Sequence, residues 1–173
     1  TPRQILIRQA ISSDTDVQPT YAHLPLVLGK DKSKLSKRHG ATPVLEYRER
    51  GFLPEALFNQ MAFLGWNPGG EREVYSPAEL IKIFDLSQVQ KGGAIFDEEK
   101  LAWFNKEHLK QLSDTVYTEK LRAFLSKRHP DTAAKLTDEL LDKILPLIRE
   151  KVRYFAEVPE LINNELSFVF ETI

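Results

Sequence analysis

Proline and glycine divide this 173-residue chain at intervals that leave room for little except short helices. Thr42-Pro43 places an N-cap and a first-turn proline ahead of a segment that Gly51 stops, predicting a helix over about residues 43 to 50. Pro54 opens a second helix, which runs to about Leu64 and ends at Gly65, with Leu57, Met61 and Leu64 on one inward face. Asn67-Pro68-Gly69-Gly70 is a turn, and Val74-Tyr75 reads as a short extended piece. Ser76-Pro77-Ala78-Glu79 is a capping box with proline at N1, and the helix it opens carries Leu80, Ile81 and Phe84 inward. Beyond Gly92-Gly93, Asp97 caps a helix that carries Leu101, Phe104 and Leu109 or Leu112.

The two ends have a different texture. Ile5, Leu6, Ile7, Ala10 and Ile11 follow Pro2 at helical spacing, whereas Leu24-Pro25-Leu26-Val27-Leu28, ended by Gly29, suits a buried strand. Past Ser113-Asp114 the pattern becomes plainly amphipathic. It predicts helices over about 118 to 128, capped by Thr118, and about 138 to 152, capped by Thr137. The second presents Leu141, Ile144, Leu145 and Ile148 inward, with Pro146 as a kink, and a boundary is expected near residue 113. Trp66, Trp103 and the ten phenylalanines fall mainly at core spacing or at helix ends.

Composition excludes several classes. A net charge of −1 and a pI near 6.4 argue against a surface that coats polyanions throughout. No stretch approaches a membrane span, and no signal peptide precedes Arg3. With no cysteine there is no thiolate metal site, and the four histidines have no metal-ligand spacing, so neither zinc nor any other metal site is expected. Against this near-neutral background, five cations (Lys30, Lys32, Lys34, Lys37, Arg38) crowd one loop with a single anion, Asp31. The loop leaves the carboxyl end of the Leu24 to Leu28 strand, the edge where open α/β sheets hold ligands, and a phosphate-bearing partner follows from that charge.

Within the loop, Lys34-Leu35-Ser36-Lys37-Arg38 is similar to the second signature of class I aminoacyl-tRNA synthetases. Thr1-Pro2-Arg3-Gln4-Ile5-Leu6, His23-Leu24-Pro25-Leu26, Gly51-Phe52-Leu53-Pro54-Glu55-Ala56-Leu57, Leu64-Gly65-Trp66 and Phe96-Asp97-Glu98-Glu99-Lys100-Leu101 resemble bacterial glutamyl-tRNA synthetases, in the same order. The likeness is dense to about residue 112 and thinner afterwards. It implies a mainly α fold: the end of a Rossmann-type catalytic domain (about 1 to 41), a helical stem-contact region (about 42 to 112) and the first helices of an anticodon-binding domain (about 113 to 173).

The same resemblance implies a cytoplasmic, monomeric enzyme that joins glutamate to tRNA(Glu) through a glutamyl-adenylate, using ATP and Mg²⁺. Charge builds on phosphate oxygens as the carboxylate attacks, so ammonium groups that tighten in the transition state lower the barrier. Lys37 and Lys34 would do this, with Arg38 able to pair bidentately and Ser36 shaping the loop. Adenine would be held by backbone near Leu26 and Val27. Arg48, Arg50, Arg72 and Lys91 are candidate tRNA contacts by position, as are Arg149, Lys151 and Arg153 near the end of the kinked helix. The chain opens without methionine and closes in the apolar run Leu166 to Ile173, and is expected to be an internal piece that lacks the class's first, histidine-rich signature and is inactive alone. A glutaminyl or glutamyl-queuosine relative, and a non-catalytic tRNA-binding module, remain as alternatives.

Overall fold

Asp97 fixes where the central helix begins: its Oδ1 accepts from Glu99 N at 3.0 Å, and two glutamates follow at the positive end of the helix dipole. The computed structural model describes residues 1–13, 19–36 and 43–166. In chain order it contains α1 (Pro2–Ile11), β1 (Val27–Leu28), α2 (Val44–Glu49), α3 (Pro54–Ala62), α4 (Pro77–Ile83), β2 (Ala94–Ile95), α5 (Glu98–Lys110), α6 (Asp114–Arg128), α7 (Pro130–Lys135), α8 (Asp138–Lys151) and α9 (Val158–Glu165). The mainly α class therefore holds.

Several boundaries move. The strand shrinks to two half-buried residues, paired in parallel with β2 in the register Val27↔Ala94 and Leu28↔Ile95, while Leu24 and Leu26 are exposed. Helix α2 starts at Val44 with Pro43 as its N-cap, and the cap expected from Thr42 lies outside the described residues. Val74-Tyr75 forms no strand, because the Tyr75 amide is spent on Asn59 Oδ1 at 2.8 Å. Helix α6 begins four residues early: Ser113 Oγ accepts from Val116 N, which leaves Thr118 inside the helix. Helices α7 and α9 have no counterpart in the sequence reading. Pro146 sits inside α8 without ending it.

The inward faces of α3 and α4 also differ from expectation. Alanine and two amides are buried on α3 (Ala56, Asn59, Gln60), whereas Leu57 and Leu64 are only part-buried and Met61 is exposed. The amides win because each finds backbone partners: Asn59 Nδ2 donates to Glu73 O at 3.0 Å, and Gln60 Nε2 to Asp97 O at 3.4 Å. On α4 only Leu80 is buried; Ile81 and Phe84 face outward. Trp66 is buried as expected, but Trp103 is 41% exposed.

The main core joins Leu53, Ala56, Phe104 and Leu109 to Tyr117, Leu121 and Leu125 of α6 and to the apolar stripes of α8 and α9. Leu140, Leu141, Ile144, Leu145 and Ile148 of α8 are all buried, each contributing about 1.5 to 3 kcal/mol. A smaller cluster holds Tyr47, Phe52, Leu101 and Ala102. Gly51 links the two. Its φ is +77°, a Cβ there would stand 2.6 Å from Phe155 Cβ, and the preceding Arg50 carbonyl accepts from Ala156 N at 3.1 Å.

Gly51→Ala should therefore cost about 2 to 4 kcal/mol in urea unfolding, from left-handed strain and forced repacking of Phe155. A second expectation concerns pH. Burial pushes the His108 imidazole below its ordinary 6.5, only partly opposed by Glu55, and the neutral ring's Nε2–H donates to Asn59 Oδ1 at 3.2 Å. The unfolded chain then binds the proton first as pH falls. Stability should be full above about pH 6.5 and decline as pH drops through the folded value, with thermal melts following an NMR titration of His108.

Candidate functional site

Leu28 turns back on itself immediately after β1. Gly29 N donates to Ser33 O, Leu35 N donates to Val27 O, both at 2.9 Å, and Leu28 bridges Lys34 in antiparallel fashion. The result is a short hairpin whose outgoing strand is bolted to β2 on its other edge by Ala94 N to Leu26 O (3.2 Å) and Phe96 N to Leu28 O (2.9 Å). Gly93 permits that approach, since a Cβ there would lie 2.7 Å from the Leu28 side chain. The carbonyls of Leu26 and Val27, expected near adenine, each already accept one bond within this framework.

Beneath the hairpin lies a cleft of about 580 Å³. Its wall is apolar, with Leu57 and Met61 of α3 and Leu64 just past its end facing Val27, Leu35 and Phe96, and its rim carries Lys30, Asp31, Glu98 and Glu99. The stripe read as core is thus the wall of a cleft. Tyr47 and Glu98, joined by a 2.8 Å hydrogen bond, complete that wall, and sequence reasoning missed both. They are 51 residues apart, and only the acidic first turn of α5 marks Glu98 locally.

The loop cations are unequal. Lys30 pairs with Asp97 at 3.4 Å, while Lys32 and Lys34 are exposed and have no ion pair among the described residues. Ser36 is part-buried beside them. Lys37 and Arg38 lie outside the described residues.

Five of the seven candidate RNA contacts are engaged within the chain. Arg50 pairs with Glu98 and lies over Phe52 and Tyr154, 5.1 and 4.7 Å from the ring centres. Arg72 meets Glu79 at 2.6 Å and covers Tyr75 at 4.2 Å. The Ser76 amide first, then Arg72 and the Ser76 hydroxyl, hold the Glu79 carboxyl down at about 2. Arg153 is shared between Glu157 and Glu99, and Lys151 pairs with Glu165. Arg149 donates to Lys110 O, Leu112 O and Asp114 Oδ1 at 3.0, 2.8 and 2.8 Å, capping the end of α5 from α8. Arg48 and Lys91 stand exposed, without an ion pair among the described residues.

Residues 1–103 match the family described as tRNA synthetases class I (E and Q), catalytic domain. The glutamate–tRNA ligase of Aquifex aeolicus is 45% identical over 173 residues, covering 99% of this chain and 35% of its own length. That of Natranaerobius thermophilus is 41% identical over 166 residues, 92% of this chain and 32% of its own. The crystal structure of glutamate-tRNA synthetase from Elizabethkingia anophelis superposes with a TM-score of 0.75 at 33% identity, covering 96% of this chain and 35% of that one. This chain spans about a third of the length of the curated relatives it matches.

The arginine placements separate structure from recognition. Arg149→Ala should lower unfolding stability by about 1 to 2 kcal/mol, since it removes the donors to the exposed Lys110 carbonyl and the part-buried Leu112 carbonyl, and Arg149→Lys should recover little of that. Lys91→Ala should leave urea unfolding within about 0.5 kcal/mol of the parent.

Proposed function

The chain belongs to the class I tRNA synthetases of the glutamate and glutamine type, and from that premise we propose that it is part of a glutamate–tRNA ligase. The supporting observation is the cationic hairpin at the end of β1, built on a parallel strand pair inside the matched region. Helices α6 to α9 favour the glutamate reading over the glutamine one, which predicts a β-rich region after residue 113. Residues 1–41 would close the catalytic domain, 42–112 contact the acceptor stem, and 113–173 begin the anticodon-binding part.

In this reading ATP supplies the adenylyl group and carries its Mg²⁺ with it. Lys34 and Lys37 place ammonium groups against the phosphates, where charge on the oxygens grows as glutamate attacks. Arg38 pairs with a phosphate or carboxylate, Ser36 holds the loop's curve, and the backbone at Leu26 and Val27 bounds the adenine. Arg48 and Lys91 are the first-choice contacts to the tRNA backbone, because the other five cations would have to leave partners they already have. The working enzyme is a cytoplasmic monomer. These residues alone do not catalyse, because the histidine-rich first signature is not among them.

In the whole protein, Lys37→Ala should slow ATP–pyrophosphate exchange, measured with tRNA present, by about a hundredfold while tRNA affinity changes less than about threefold. Loss of tRNA binding with exchange intact would instead overturn the catalytic reading of Lys37 and make it an RNA contact.

A further inference from the structure

Lys34 can act on a phosphate only if the backbone that carries it is already in place, because electrostatic stabilisation depends on donors set before the reaction. Both of its neighbours are held, Ser33 by its carbonyl to Gly29 N and Leu35 by its amide to Val27 O. The turn that closes this hairpin is unfavourable in itself. Lys32 has φ +62°, the one positive φ of a non-glycine residue among the described residues.

Asp31 offsets that strain. Its Oδ1 accepts from Ser33 N at 3.0 Å, and Ser33 Oγ donates to Oδ1 and Oδ2 at 2.9 and 2.8 Å. An aspartate bonding the amide two residues on is a side-chain turn that fixes the tip without help from a core. The neighbouring Lys30 adds a tether, reaching Asp97 at the cap of α5. An anion is otherwise out of place in a loop that must attract phosphates, since it weakens the field of the lysines around it.

We propose that Asp31 is a positioning residue for adenylate formation: its carboxylate oxygens fold the hairpin tip that presents Lys34 to the phosphates. The inference rests on the ATP reading of Lys34 given above. It predicts that the hydrogen bonds, rather than the charge, carry the effect, so asparagine, which keeps an acceptor for the Ser33 amide, should replace aspartate and alanine should not.

The test is a mutant cycle in the whole protein, read by ATP–pyrophosphate exchange with tRNA present. Asp31→Ala should lower kcat/KM for ATP about five- to tenfold, and Asp31→Asn should stay within about twofold of the parent. In a Lys34→Ala background, Asp31→Ala should change the rate less than about twofold, because it acts through that lysine. Multiplying effects, or an asparagine as poor as alanine, would overturn the proposal. If Lys34→Ala alone leaves exchange unchanged, the ATP reading of that lysine fails. Amide hydrogen exchange at Ser33 and Leu35 then decides the positioning role separately: Asp31→Ala should accelerate it and Asp31→Asn should not. Unchanged protection in Asp31→Ala sinks the role whatever the kinetics show.

Discussion

Two backbone segments far apart in the chain meet on one amide side chain. Asn105, fully buried on α5, accepts from Leu53 N at 2.7 Å and donates to Arg153 O at 2.6 Å. Leu53 is the residue from which α3 starts, and Arg153 leads into the turn that docks Phe155 against Gly51. Removing that amide would leave the buried Leu53 amide and the part-buried Arg153 carbonyl without these partners, the first at about 1 to 3 kcal/mol. The helix that carries it also begins at Asp97, directly after the strand that pairs with β1. One rigid element thus connects the cationic hairpin to the packing of the last third of the chain.

Asn59 repeats the arrangement one layer away, gathering the Glu73 carbonyl, the Tyr75 amide and the His108 ring around α3. Buried amides of this kind select one docking geometry where apolar contacts alone would tolerate several. They also explain the cleft. With Asn59 and Gln60 turned inward, the leucine and methionine stripe of α3 faces the underside of the hairpin instead of the core.

The charge distribution follows a similar division of labour. Most arginines that the sequence offers to RNA are engaged with carboxylates and aromatic rings inside the chain, which leaves Arg48 and Lys91 as the candidates without an ion pair among the described residues. A phosphate approaching Arg149 would have to displace two carbonyls and a carboxylate, whereas Lys34 has no ion pair to give up among the described residues. Accessibility, rather than charge alone, ranks the candidates.

The caps were legible because they are local. Ser76 with Glu79, Asp97 and Thr137 each bond an amide two or three residues away, and their helices start where the residues say. Four of the five buried residues of α8, Leu141, Ile144, Leu145 and Ile148, were legible for the same reason, since an apolar stripe on one face of a helix has only one way to turn; Leu140 joins them in the structure. On α3 the sequence contained two competing stripes, and the choice depended on carbonyls and amides far along the chain. Ser113 displaced Thr118 because a helix begins at the first satisfactory cap, and Thr118 would have served only if the earlier one were absent. Residues 34 to 38 and their flanks determined by themselves which family this chain joins and which cations are eligible for phosphate. That Lys30 is paired with Asp97 while Lys34 has no ion pair among the described residues, and that Asp31 bonds the hairpin's tip, only the tertiary structure decided, because a side chain's availability depends on partners brought to it by the fold.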